Sequence, residues 1–406
     1  MQRFILCTML LASIVLPASA RYQLVQDYSG ENFFTEFDFF TGPDPTQGHV
    51  QYKSMVDANS TGLAGFIDGG NATNAIYMGV DTKEVAPGGR GSVRVTSKQA
   101  YQHFLLIADI VHMPGGLCGT WPAFWTVGQD WPNNGEIDIL EGVNDQKTNY
   151  MTLHTADSIR LNAKHANNFA GSVSTPDCAV DAPGQFENQG CAIEDPSLLT
   201  YGTGFNKAGG GVFAVEWTSQ QIRMWFFPRG KFPDDIVNSR PSPNPGWGPP
   251  RSVFAGDFNM DDHFKTQQVV FDTTFCGAWA GPAFAQSSCA SLASTCEDFV
   301  SNHPEAFSEA YWAINTLQVF QDDGNQSSST AGAFNVPPVS APGSLPEPTR
   351  SRQSSQSAES QVAQRNTSHT VEMKAPTNKR NIIHEPGMFR RKHGGGLLPV
   401  VWPRDV

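Results

Sequence analysis

An all-β sandwich is the fold class this sequence predicts, and three observations predict it. Short apolar runs recur between clusters of Gly, Pro, Asn and Asp, the rhythm of strands and turns in sandwiches and barrels. Several runs alternate apolar and polar residues with the period of two that a half-buried strand requires. No helix-strand alternation of the kind that builds a parallel sheet appears. A chain of 406 residues, 39% hydrophobic and 11% aromatic, has the material for a large core. Its length allows two or three domains, but large all-β domains also run this long.

In chain order, residues 1–20 combine Arg3, an apolar stretch from Phe4 to Val15 and Ala18-Ser19-Ala20 before Arg21, the build of a cleavable secretory signal peptide. The apolar run is shorter than the ~20 residues of a membrane anchor. Strands are expected at 91–97, 104–112, 122–127, 150–155, 212–217, 222–227, 268–275 and 312–319, with one more in the stretch 131–144. Residues 156–210 read as a long polar insertion able to wall a cleft, and 288–310 as a short helical excursion with Cys289 and Cys296 on one face. From 325 to 406 the chain is rich in Ser, Pro, Gln and Arg, too poor in apolar residues to offset the entropy of ordering, and is expected to be disordered. Its last residues, broken by Pro399, lack the hydrophobic tail of a lipid anchor.

Removing residues 1–20 takes Cys7 with it and leaves Cys118, Cys178, Cys191, Cys276, Cys289 and Cys296, an even set suited to disulfides in an oxidising compartment. Six cysteines permit 15 connectivities. The pair expected first is Cys178 with Cys191, which bracket a short Pro/Gly/Asp loop. Sequons stand at Asn59, Asn71, Asn325 and Asn366. Residues 341–406 hold ten Lys/Arg against five Asp/Glu; this +5 within a chain of net charge −12 leaves −17 on residues 1–340. So acidic a globular part argues against nucleic acid as a partner and is compatible with a neutral polymer.

The stretch 131–144, WPNNGEIDILEGVN, sets Glu136, Asp138 and Glu141 among Ile137, Ile139 and Leu140. Charged groups beside a core cost several kcal/mol each, on the order of 3–5, unless paired or used. On a strand Glu136 and Asp138 share a face, whereas Glu141 has the wrong parity. A β-bulge within Ile139 to Leu140 would return Glu141 to the acidic face. Two glutamates leaning together across about four strand positions could then reach the ~5–5.5 Å of a retaining glycosidase pair. In such a pair Glu136, ionised, attacks the anomeric carbon while Glu141 protonates the leaving oxygen, and their mutual repulsion raises one pKa. Three carboxylates also suit a hard cation such as calcium, and the E-x-D-x-x-E string alone does not separate the two.

Its context does. The run HMPGGLCGTWPAFWTVGQDWPNNGEIDILEGVN (112–144) resembles the catalytic region of glycoside hydrolase family 16, specifically the fungal endo-1,3(4)-β-glucanases related to laminarinases. The spacing is similar to that of the laminarinase branch, which keeps the extra strand residue, and differs from the shorter E-x-D-x-E of the bacterial lichenases. The resemblance continues through YSGENFFTEFDFFTGPDP (28–45), VEWTSQQIRMWFFPRG (215–230) and VVFDTTFCGAWAGP (269–282), covering about residues 21–323. It implies a concanavalin-like jelly roll of two curved antiparallel sheets, with the substrate cleft on the concave face of a catalytic domain at 21–324. It also implies Glu136 as nucleophile, Asp138 as its assistant and Glu141 as acid/base, acting on β-glucan. That chemistry needs no cofactor, and no motif locates a metal site. With residues 1–20 as signal peptide and no membrane anchor expected, the chain reads as a secreted monomer.

Sugar faces stack on aromatic rings, and Trp131, Trp121, Trp125 and Trp279 are the candidates. Trp131, just before the carboxylate strand, comes first; Trp121 and Trp125 share parity, so both face the cleft or both the core. Trp217 and Trp225 are expected in the core. His154, on the next strand, is either a structural histidine or, as the resemblance implies, a neighbour that tunes Glu141. The resulting expectation is an endo-β-glucanase hydrolysing internal β-1,3 or β-1,4 bonds with retention. A cell-wall transglycosylase on the same scaffold is the alternative, and a non-catalytic lectin, which would usually have lost an acid, is the remote one.

Overall fold

The computed structural model describes residues 22–322. The expected signal peptide and the expected disordered tail lie outside the described residues. Six strands open the chain: β1 (Tyr22–Asp27), β2 (Phe37–Phe39), β3 (Val50–Tyr52), β4 (Ala64–Gly69), β5 (Ala72–Gly79) and β6 (Arg90–Ser92). Then follow β7 (Arg94–Tyr101), β8 (Phe104–His112), β9 (Thr120–Gly128), β10 (Glu136–Glu141), β11 (Asn149–His154), β12 (Ser172–Thr175) and β13 (Cys191–Asp195). The remainder are β14 (Gly211–Trp217), β15 (Ile222–Pro228), β16 (Ser252–Phe254), β17 (Gln267–Phe275) and β18 (Tyr311–Asp322).

These strands form two large antiparallel sheets. One runs β16-β15-β14-β8-β18-β5-β4, with β1 also paired to β18; the other runs β12-β13-β11-β10-β9-β17-β7-β2. β3 and β6 pair in parallel, as a separate two-stranded ribbon. The core between the sheets takes the inward positions of both: Phe124, Ile137, Ile139, Leu140, Leu153 and Phe271 from one, Leu106, Ile110, Phe213, Val215, Trp312 and Leu317 from the other. Phe124 stacks on Phe271 with ring centroids 4.3 Å apart. Each such side chain, fully buried, contributes about 1.5–3 kcal/mol. Trp217 and Trp225 are buried as expected, but on different sides of one sheet: Trp217 in the main core, and Trp225 in an outer cluster with Phe227 and Trp247.

Three expectations change. The run 91–97 is not one strand, because Arg90–Ser92 pairs with β3 while the chain from Arg94 joins the large sheet beside β17. Residues 156–210 are not merely a loop: they supply β12 and β13, which extend the carboxylate-bearing sheet beyond β11. Residues 288–310 are helical as expected, but in three short pieces, Ser288–Ser291, Cys296–Asn302 and Pro304–Phe307, and not in one helix. Thr295 breaks the run by capping the second piece, its hydroxyl accepting from the Asp298 N–H at 3.1 Å. Cys289 and Cys296 therefore sit on separate pieces and bridge to Cys118 and Cys276 respectively, tying the segment to the ends of β9 and β17. Cys178 pairs with Cys191, as the short loop between them suggests.

Candidate active site

The site is built on β10 and its neighbours. Glu136 and Asp138 face away from the core, Ile137 and Ile139 into it. Against β9 the register runs Asp138 to Trp125, then Leu140 to Phe124. Against β11 it runs Asp138 to Thr152, then Glu141 to Tyr150. One extra residue has entered β10 on both sides. Ile139 and Leu140 consequently both point inward and are fully buried, and Glu141 joins Glu136 and Asp138 on the outer face. The bulge lies where the hydrophobic pattern requires it: without it, Leu140 would face outward and Glu141 the core.

Each glutamate is held by an indole. Trp131 Nε1 donates to Glu136 Oε2, and Trp121 Nε1 donates to Glu141 Oε1 at 2.7 Å. Trp131 reaches back from a turn closed by Asn134 N–H to Asp130 O at 2.9 Å and Gly135 N–H to Pro132 O at 3.1 Å. Gly135 takes φ +75° there, and a Cβ would meet the Phe264 ring at 2.4 Å, so only glycine fits. Trp121, Ala123 and Trp125 share the outer face of β9, the face on which β10 carries its acids. Trp279, on the helix Gly277–Phe284, packs edge-on against Trp121 at 5.5 Å. Asn144 moors that helix, donating to Ala280 O at 2.9 Å while accepting from Gly119 N–H at 2.8 Å.

His154 stands opposite Glu136 on β11. Its Nε2 lies 3.2 Å from Asp138 Oδ2, so Asp138 and not Glu141 is its direct neighbour. The Cys178–Cys191 loop backs the ring: Gly190 adopts φ +61°, and a Cβ on it would come within 2.9 Å of His154 Cε1 and Nδ1. Thr175 Oγ1 and Gln185 Nε2 both donate to Gly190 O at 2.8 Å and hold the glycine in place.

Desolvation raises all three acids. Glu136 is pushed up to about 8, first by burial and then by Asp138, while His154, the Trp131 N–H and Arg94 act the other way. Asp138 also rises to about 8, through burial, against its interaction with Glu136 and with Asp272 adding to the rise. Glu141 is held well above the ordinary carboxylate range by burial and then Asp138, with Glu136 adding to it and Trp121 opposing. Such a cluster titrates as a unit. Three partners, His154, Trp131 and Arg94, favour the anion of Glu136, and two, Trp121 and His154, favour that of Glu141.

Donor atoms of Glu136, Asp138 and His154 lie within 4.8 Å of one another. Glu141 is not in that group, so the three-carboxylate calcium site weighed from the sequence is not formed. An imidazole in its place does not suit a cation that takes six to eight oxygens.

Several cleft residues escaped the sequence reading. Asp272 accepts from Trp125 Nε1 at 3.1 Å and from the Tyr52 hydroxyl at 3.2 Å, and burial lifts it to about 6. The Arg94 guanidinium lies 5.0 Å from the centroids of both the Phe40 and Trp125 rings, and 4.0 Å from Asp44. An acid in VVFDTTF and an arginine in GSVRVTS carry the same signal that singled out β10, a charge at an outward strand position among apolar residues. Asn149, 1% exposed, donates to Ile139 O at 2.8 Å and accepts from Glu141 N–H at 2.9 Å; nothing in NYMTLHT marks it.

Residues 37–320 match the family described as the XgeA-like, catalytic GH16 domain. The chain belongs to glycoside hydrolase family 16. It is a glycoside hydrolase, and its two sheets are that family's jelly roll. It is 46% identical over 317 residues to an endo-1,3(4)-β-glucanase of Arthroderma benhamiae, covering 77% of this chain and 68% of that protein. A probable endo-1,3(4)-β-glucanase of Aspergillus niger is 42% identical over 335 residues, 80% of this chain but 43% of its own length. Among solved structures, an elongating family 16 β-1,3-glucosyltransferase is 41% identical with a TM-score of 0.67, covering 74% of this chain and 100% of that one. Laminarinase 16A of Phanerochaete chrysosporium, with β-glucans in its donor and acceptor sites, is 37% identical with a TM-score of 0.65, covering 74% of this chain and 99% of that one.

Proposed function

We propose that this glycoside hydrolase cleaves internal β-1,3 or β-1,4 bonds of 1,3-linked and mixed-linkage β-glucans by retaining double displacement. The observation that carries the reading is the bulge in β10, which sets Glu141 on the face of Glu136 with an indole N–H on each carboxylate. Glu136, whose anion Trp131, His154 and Arg94 favour, attacks the anomeric carbon. Glu141 gives its proton to the departing oxygen, so the leaving sugar departs neutral. The glycosyl ester removes the charge on Glu136, which lowers the cost of ionising Glu141, and Glu141 then takes a proton from the incoming water. Asp138, 2% exposed, orients Glu136 from one side with His154 behind it. Trp131, Trp121, Trp125 and Trp279 present ring surface to the sugars, and no cofactor enters.

Glu136→Ala tests the assignment. It abolishes hydrolysis and leaves oligosaccharide binding intact, and azide restores turnover with a glycosyl azide of inverted configuration, because the anion enters from the face the carboxylate has vacated. Full activity in this variant, or a retained product, places the nucleophile elsewhere. Transglycosylation has a specific support, the likeness to an elongating glucosyltransferase at 41% identity. It differs only in whether water or a sugar hydroxyl resolves the ester, and products longer than the donor at high oligosaccharide concentration identify it.

The cellular setting is part of the same proposal. Three disulfides fit an oxidising compartment, and among the described residues no helix is long and apolar enough to cross a membrane. We read the chain as secreted through residues 1–20, monomeric, with 21–324 as the catalytic domain and 325–406 as a tail.

A further inference from the structure

We infer that Asn149 is a positioning residue for the acid/base. In an antiparallel ladder the backbone of one strand answers the backbone of the next, and an inserted residue breaks that correspondence. Across the β10 bulge, Asp138 is matched to Thr152 and Glu141 to Tyr150, so Ile139 and Leu140 share the space of Met151 alone. A side chain bridges the step. The Asn149 amide donates to Ile139 O at 2.8 Å and its oxygen accepts from Glu141 N–H at 2.9 Å. The two groups it joins flank Leu140, so the amide holds the bulge closed across its whole width. The second bond is to the peptide of Glu141 itself, and it sets how the Cα–Cβ bond of that residue leaves the strand.

The amide suits the task on chemical grounds. It offers a donor and an acceptor on one planar group, whereas aspartate offers acceptors alone when ionised and serine is shorter. Asn149 is matched to Asp195 on β13, so the pin is anchored in the strands contributed by the 156–210 segment. This gives that segment a part in catalysis through the position of Glu141, beyond extending the sheet.

The inference rests on Glu141 being the acid/base, and the test separates the two. Protonation of the leaving group matters for a natural glucan and hardly at all for an aryl glycoside with a strongly acidic phenol. In Glu141→Ala, kcat/KM for laminarin should fall at least a hundredfold more than kcat/KM for 2,4-dinitrophenyl β-laminaribioside. Asn149→Ala should show the same signature at reduced size: about 10–100-fold loss on laminarin, the scale of an ångström-level misplacement, with the aryl glycoside changed less than about threefold. Asn149→Asp, which keeps the volume, is the companion variant should the alanine form fail to fold. If Glu141→Ala lacks the leaving-group signature, the acid/base assignment is wrong. If Glu141→Ala has it while both Asn149 variants lose the two substrates in parallel, or neither, Asn149 merely supports the fold and the inference is overturned.

Discussion

Replacing Glu136 by Gln asks whether the cleft carboxylates are kept at the expense of the fold. Gln preserves the shape, its carbonyl oxygen can accept the Trp131 N–H that Glu136 Oε2 accepts now, and its amide can face Asp138. What changes is the charge. Burial, then Asp138, moves Glu136 from 4.5 to about 8. A folded-state pKa above the unfolded one means the folded protein binds that proton more tightly. Its contribution is thus fully present below about pH 4.5 and is lost as the pH rises through about 8. At about 1.4 kcal/mol per pH unit, the whole displacement is worth about 5 kcal/mol. Asp138 and Glu141 titrate with Glu136, so neutralising one member recovers only part; taking somewhat under half of it gives about 2 kcal/mol.

An unfolding entropy of about 2.1 cal/mol/K per residue over roughly 300 ordered residues makes 1 kcal/mol equivalent to about 1.6 °C. Glu136→Gln should therefore melt about 3 °C above the wild type at pH 8 and within about 1 °C of it at pH 4, while losing hydrolysis at both. Scanning calorimetry of the two proteins at half-unit intervals from pH 4 to 9 measures the difference directly. A gap independent of pH, or a variant less stable at pH 8, would show that Glu136 is not a strained anion.

Trp131→Phe keeps the ring and removes the N–H that lowers Glu136; the acidic limb of kcat/KM should move to higher pH and the rate at the optimum fall about tenfold, both read from a pH–rate profile. Opening the Cys178–Cys191 loop with paired serines frees Gly190 from His154, so kcat should fall with KM for laminarin little changed, in Michaelis–Menten assays. The same replacement at Cys118 and Cys289, 171 residues apart, should lower the melting temperature more, because the loop-closure entropy it releases is larger, about 5 kcal/mol against about 3 for a short loop. Of the two described sequons, Asn71 is exposed at the turn between β4 and β5, where its Nδ2 donates to Gly209 O at 3.3 Å, whereas Asn59 is half-buried near the end of the helix Met55–Ser60. Protein secreted from a eukaryotic host should therefore carry glycan at Asn71, as peptide mass spectrometry before and after deglycosylation would reveal.

Sequence patterns expose what one strand does alone and hide what two strands do together. Apolar runs bounded by turn residues are enough to find β8, β14, β15 and β17 nearly to the residue, because each is buried along most of its length, β14 at every position. Alternation is enough to demand a bulge between Asp138 and Glu141, since Ile139, Leu140 and Glu141 cannot otherwise all satisfy their own solvation. The short strands β12 and β13 are harder to see. β12 lies at the sheet edge with three of its four residues exposed and no buried face to mark it, while β13, CAIED, is buried between β12 and β11 but spans only five residues. His154 was legible as a residue near the acids but not as a neighbour of Asp138, for register decides that and no local pattern encodes register across strands. Asn149 was missed because an asparagine in a strand looks like an ordinary polar residue until the broken ladder it repairs is in view.

The indoles connect binding to chemistry. Trp131 and Trp121 each spend their only polar atom on a catalytic-cluster glutamate, so their rings are fixed in orientation before any sugar arrives. A glucan unit stacking on either ring would lie beside the carboxylate held at the ring's edge and remove water from a site whose acids are already displaced upward by desolvation. Dehydration disfavours the dianion of the pair more than the monoanion. Substrate binding therefore drives the pair toward one proton, the state that the proposed mechanism requires for attack by Glu136 and protonation by Glu141. On this account the pH range of activity should widen on its alkaline side as the substrate is lengthened from two to four or more glucosyl units. The acids themselves would be unchanged, and only the number of rings covered would differ.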